Sequence, residues 1–357
     1  MTAYFITLFV AVFFAFLASQ TEPEGITSQT KYSFPTKCFL VLSVATLVFT
    51  AGFRYFIGTD YRAYYEGLDL YGSNLKYSVT HLDEPGLPIL ATIVGWFTDD
   101  GIYFIFTCSL ITVGLILYNT FKNSYNFVFC VLLFVLVGIW HESFNGVRQY
   151  LAAAIVFSGY KYIYDKKFLK YCGIVFLAFC VHRSAIIMIV PYFILRNRIN
   201  FRNVLLLLVG TYIVSYSYES VFTFIGFLKE TDIHMSDYAY YSNSVNTLRV
   251  LVFCAPAALA LLLLRSNGRS RENDFYINLL LVNAAAMLAT SNSAYLARLS
   301  IYTNVYTPIA MAKLLNHGNK VIAGIIKTTI IAAYFVYWYI DVTSSGALSP
   351  FKWVWER

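Results

Sequence analysis

Charge is what this sequence has least of. Asp, Glu, Lys and Arg together make up 13% of its 357 residues, about half the share usual in a soluble domain. With a mean hydropathy of +0.61 and apolar runs longer than a globule can cover, the chain is excluded from soluble enzymes, disordered chains, porin-like β-barrels and nucleic-acid-binding proteins. Familiar signatures of chemistry are missing too. There is no glycine-rich phosphate loop, no His-Glu-x-x-His helix and no Gly-x-Ser-x-Gly elbow. Cys38, Cys108, Cys130, Cys172, Cys180 and Cys254 lie inside apolar runs without metal-ligand spacing, so neither a disulfide framework nor a bound metal or other cofactor is expected. Gln20-Thr21-Glu22-Pro23 is a poor cleavage site, and residues 4–19 read as a first span rather than a signal peptide.

What is present is 59% hydrophobic, with 31 Phe and 30 Tyr. That composition predicts an all-α, polytopic integral membrane protein forming a single transmembrane domain over 1–357. Apolar runs at 3–19, 38–57, 102–119, 126–140, 147–164, 168–182, 184–195, 203–218, 248–264, 275–290, 298–315 and 321–340 predict about twelve spans. A further run at 86–97 is only half a membrane thick and reads as a re-entrant or interfacial helix. Basic clusters at Lys161, Lys166, Lys167 and Lys170, at Arg196, Arg198 and Arg202, and at Arg265, Arg269 and Arg271 mark the cytoplasmic side. Asp60, Glu66, Asp69, Asp83, Glu84, Asp99 and Asp100 then fall outside, with long outer loops at about 58–85 and 219–247. The net charge of +7 is in the main cytoplasmic anchoring rather than a nucleic-acid footprint.

Four arginines are on the wrong side. Arg54, Arg148, Arg183 and Arg298 sit at outer span ends, each among polar neighbours. An ionisable group at membrane depth marks a functional site by default, and a guanidinium fork suits phosphate. The competing explanation for any one of them is a side chain snorkelling to lipid headgroups. Asn145, Arg148, Gln149 and Ala152 follow helical spacing and are expected on one face, beside His141-Glu142. Tyr295, Arg298 and Tyr302 are expected on one face likewise. His182-Arg183-Ser184 stands between two apolar runs, and Gly58-Thr59-Asp60-Tyr61 forms an acidic outer turn. Tyr238-Ala239-Tyr240-Tyr241 offers either a sugar-stacking surface or a plain interfacial loop. A structural network between helices competes with each functional reading.

Arg54…Gly58-Thr59-Asp60-Tyr61, Glu84-Pro85, Phe144-Asn145…Arg148-Gln149…Ala152, His182…Ser184-Ala185 and Arg298…Tyr302, in that order, resemble the EpsG-like family of Wzy-type polymerases of bacterial exopolysaccharide and O-antigen. The resemblance covers about residues 1–310. It implies a GT-C-like glycosyltransferase of the bacterial inner membrane with its site facing outward. Such an enzyme moves a growing glycan from undecaprenyl pyrophosphate to a hydroxyl of the next lipid-linked repeat unit. The implied partners are that lipid-linked oligosaccharide, membrane lipid and a chain-length regulator protein, with no metal needed. Arg54, Arg148, Arg298 and Arg183 are the candidates for the pyrophosphate. His182 is the favoured base, with Asp60, Glu84 and Glu142 as carboxylate alternatives. Tyr61, Asn145, Gln149, Ser184 and Tyr302 are candidates for positioning substrate. A ligase acting on the same donor, a sugar acyltransferase and a flippase of lipid-linked oligosaccharide are the competing functions. No second copy of any motif supports a repeat-built transporter.

Overall fold

The computed structural model describes residues 1–21, 32–217, 244–264, 270–316 and 320–356, and every regular element among them is helical. Among the described residues four helices are long and apolar enough to cross a bilayer: Thr2–Gln20, Phe34–Gly52, Gly101–Asn123 and Lys320–Ser344. Shorter apolar helices complete the bundle, Gly86–Gly95 and Phe127–Leu136 among them.

Local chemistry sets many helix starts. Ser33 accepts from the Thr36 N–H with proline in the first turn, Asp100 accepts from Ile102 at 3.0 Å, and Asn126 accepts from Phe129 at 2.9 Å. Each satisfies a donor that the first turn would leave unpaired. The first two helices form an antiparallel pair closed by small residues, with Ala11 and Ala15 fully buried. Across that pair the Thr7 and Thr50 hydroxyls meet at 2.7 Å and Ser43 donates to the Ala11 carbonyl at 2.8 Å. In hydrocarbon such bonds contribute about 0.6–2 kcal/mol each. The helix Phe127–Leu136 is apolar on every side and almost wholly buried, as a central helix must be. Phe201–Tyr216 buries no residue at all and lies at the rim.

Several expected spans are broken. The second helix stops at Gly52, and 53–57 leaves it to meet the end of the chain. The run 147–164 divides at Gly159, and 184–195 opens with a 3-10 turn over Arg183–Met188. The run 298–315 is a chain of short pieces, Arg298–Ser300, Ile301–Asn304 and Thr307–Leu314. Small and hydroxyl-bearing residues at these joints let side chains compete for the backbone, as Ser300 does by donating to the Ala297 carbonyl at 2.6 Å. The segment 58–85, expected as an outer loop, carries three short helices, Tyr61–Tyr65, Gly67–Ser73 and Leu75–Thr80. Of the expected second outer loop, residues 219–243 lie outside the described residues, and the tyrosine-rich 238–241 stretch with them.

Candidate active site

Glu84 joins the sequence candidates into one cluster. Its Oε1 accepts from His182 Nδ1 at 2.7 Å and from the Arg183 backbone N–H at 2.9 Å. Its Oε2 pairs with Arg148 Nη1 at 2.6 Å. Three elements meet there for local reasons. The helix Phe168–Val181 ends because His182 is extended, with φ −154° and ψ 118°, which turns its ring out of the helix. Gly86 presses against that end, where a Cβ would come within 2.7 Å of Val181 Cγ2 and 3.0 Å of the Cys180 carbonyl. Only a glycine admits so close an approach, and it draws Glu84 onto His182.

Burial works against ionisation of Glu84, but the His182 hydrogen bond, the Arg148 charge and the Arg183 N–H outweigh it and bring its pKa down to about 2. The carboxylate is therefore an acceptor and not an acid at any physiological pH. With Nδ1 donating to that carboxylate, Nε2 is the nitrogen of His182 left to take up a proton.

Two more arginine–acid pairs surround this centre. Arg183 Nη2 lies 3.0 Å from Asp83 Oδ1, and Arg298 Nη1 lies 3.9 Å from Asp60 Oδ2. The side chains of Arg148, Arg183 and Arg298 are 37%, 32% and 45% exposed. The Arg183–Asp83 and Arg298–Asp60 pairs, open on both sides, contribute about 0–1 kcal/mol each. Their donors can exchange a carboxylate for another anion at little cost.

The remaining candidates divide between framework and rim. Arg54 is 1% exposed. It donates to the carbonyls of Ala51, Ile57 and Phe144 and stacks over the Phe144 ring at 4.6 Å, so it ties together the strands of chain around the site from inside. Tyr61 is buried against Tyr65, ring on ring at 5.9 Å. Asn145 precedes the helix Val147–Ser158 instead of sharing its face, and accepts from the Thr59 N–H at 2.7 Å. Gly58 makes that contact possible: its φ is +104° and a Cβ would meet the Phe144 carbonyl at 2.6 Å. Gln149 donates to the Arg298 carbonyl at 3.0 Å and so couples two arginine-bearing elements. Ser184 and Tyr302 meet through their hydroxyls at 2.9 Å. Tyr302 is buried while Arg298 is exposed, because the breaks between them interrupt the helical periodicity.

Glu142 belongs to a second polar cluster. Its Oε2 accepts from Tyr150 at 3.0 Å and from Arg249 Nη2 at 2.7 Å, while the neighbouring His141 Nε2 meets Asp341 Oδ2 at 2.8 Å. Arg148 and Tyr150 are two residues apart on one helix and so point to opposite sides. Asp83, Arg249 and Asp341 are participants that sequence reasoning passed over. The test applied to the other outer arginines would have caught Arg249, and Asp341 is an acid in a long apolar helix, which is itself a signal. Among the described residues no three His, Cys, Asp or Glu side chains converge as metal ligands.

A family model described as the EpsG family matches residues 37–353. No curated protein and no solved structure matches the chain.

Proposed function

The chain belongs to the EpsG family, the family of Wzy-like polysaccharide polymerases, and from that premise we propose that it polymerises lipid-linked repeat units on the outer face of the bacterial inner membrane. The donor is a growing glycan on undecaprenyl pyrophosphate, and the acceptor is a hydroxyl of the next lipid-linked unit. His182 Nε2 takes the proton of the acceptor hydroxyl as its oxygen bonds to the anomeric carbon. The bond from that carbon to the pyrophosphate oxygen breaks, and undecaprenyl pyrophosphate leaves with the electron pair. The proton passes from His182 to the leaving anion or to water.

Glu84 holds His182 in the needed tautomer and stabilises the imidazolium that forms. Arg148, Arg183 and Arg298 neutralise charge on the leaving pyrophosphate. Asp60 and Asp83 are counter-ions, and Arg54 with Asn145 holds the surrounding chain. The observation that carries this reading is the bridge from His182 through Glu84 to Arg148, with Nδ1 and Nη1 at 2.7 and 2.6 Å from one carboxylate.

The test is elongation of lipid-linked units by the purified protein. His182→Ala and Arg148→Ala should each lower the rate by roughly a hundredfold or more while the protein stays folded. Full elongation by both variants would overturn the assignment. In the host, loss of the protein should leave single lipid-linked units on the outer face. Units retained on the cytoplasmic face would indicate a flippase, and full-length glycan left on its carrier a ligase.

A further inference from the structure

The three accessible arginines come from three separate helix ends. Arg148 stands in the first turn of Val147–Ser158, Arg183 opens the 3-10 turn Arg183–Met188, and Arg298 opens Arg298–Ser300. The three carboxylates facing them, Asp60, Asp83 and Glu84, all come from one outer segment. That segment is flanked by residues with left-handed backbone, Phe56 and Gly58 at one end and Leu82 and Glu84 at the other, with φ of 51°, 104°, 51° and 49°. Phe, Leu and Glu avoid this region, so the acids are held in place against local preference.

A site made only to bind anion would be better without them. Three positive charges are matched by three negative ones before any substrate arrives. Glu84 has a second task on His182, but among the described residues Asp60 and Asp83 have no such partner besides Arg298 and Arg183, apart from the Thr59 hydroxyl at 3.1 Å on Asp60. An outer-face site also sits among anionic phospholipid headgroups, each with one phosphate charge that no amine compensates, far outnumbering any lipid-linked glycan. Unopposed arginines would fill with these headgroups.

We propose that Asp60 and Asp83 are specificity-determining residues that make the arginine site reject singly charged phosphate headgroups and admit the pyrophosphate of a lipid-linked glycan. A single phosphate charge that replaces one carboxylate gains nothing electrostatically. A pyrophosphate brings more charge and several oxygens that reach more than one guanidinium, so it displaces the acids. The looseness of the two pairs suits exchange: Asp60 stands 3.9 Å from Arg298, and the Asp83 side chain is 50% exposed. This inference rests on the reading of the arginines as a pyrophosphate site.

The test uses the purified full chain in nanodiscs, with undecaprenyl pyrophosphate as the probe. In phosphatidylcholine discs the double variant Asp60→Asn, Asp83→Asn should bind the probe roughly threefold to tenfold more tightly than the native protein. When phosphatidylglycerol replaces part of the lipid, the apparent Kd of the variant should rise about tenfold while that of the native protein changes by about twofold or less. The same response in both proteins would overturn the proposal. Asp83→Asn alone supplies the same comparison if the double variant does not fold. Arg148→Ala separates the underlying reading: it should lose binding in both lipids, and retained binding would overturn the pyrophosphate site itself.

Discussion

Glu84 is the residue on which most of the site depends, and its protonation has a calculable consequence. Its carboxyl is depressed from 4.5 to about 2, so its contribution to stability is complete above pH 4.5 and is lost as pH falls from there through about 2. Between pH 7 and 5 it does not titrate. Thermal melts of the native protein should therefore show an acid loss of stability below about pH 4.5 that is reduced in Glu84→Gln. The same variant, measured at pH 7, should elongate glycan roughly a hundredfold more slowly, since an amide can present His182 with the wrong tautomer. Retained activity at pH 7 would remove Glu84 from the mechanism. His182 and Arg148 are visible in the sequence as polar residues at span ends, and Glu84 as an acid of an expected outer loop. Their pairing is not, because they are separated by 64 and 98 positions and no local pattern relates them.

Among the elements, the contact between Gly86 and the end of Phe168–Val181 decides whether the residue-level pairing forms. Gly86→Ala would push a methyl into Val181 and the Cys180 carbonyl. Backbone cannot rotate away as a side chain can, so the two elements must separate. A loss of about 1–3 kcal/mol of stability is expected, together with a fall in elongation as large as that of Glu84→Gln; a variant with native melting and native rate would show the approach to be unimportant. The helices capped by Asp100 and Asn126 start within a residue of the expected spans at 102 and 126, whereas the one capped by Ser33 starts at Phe34, four residues ahead of the expected 38. The expected stripe of Asn145, Arg148 and Gln149 did not survive as a shared face. The helix begins only at Val147, and these three side chains reach Thr59, Glu84 and the Arg298 carbonyl respectively.

At the scale of the whole molecule, the site is closed from behind by the end of the chain. Tyr55 donates to the Lys352 carbonyl at 2.9 Å, Gly58 to Ala347 at 2.8 Å and Val354 to Phe53 at 3.0 Å. The hydroxyl of Tyr4 reaches Leu348 at 2.8 Å. The tail thus covers the chain around Arg54, whose guanidinium is bound from inside. A protein ending at Ser345 should lose these four bonds, worth about 0.5–1.5 kcal/mol each, and show a lower melting temperature with weakened elongation. An unchanged melt would mean that the tail is not part of the framework. This role was invisible in the sequence, where the final residues carry no motif. The Glu142–Arg249 and His141–Asp341 pairs add a second brace on the far side of Val147–Ser158.

Hydropathy and charge are properties summed along the chain, so the sequence by itself determined that this is a helical membrane protein and which polar residues lie at its helix ends. Which of those residues meet is a matter of distance in space. Tertiary structure alone decided that Glu84 stands between His182 and Arg148, that Arg54 is sealed inside, and that Arg148, Arg183 and Arg298 each already face an acid. The physical reason is that burial and ion pairing depend on neighbours brought together from remote parts of the chain.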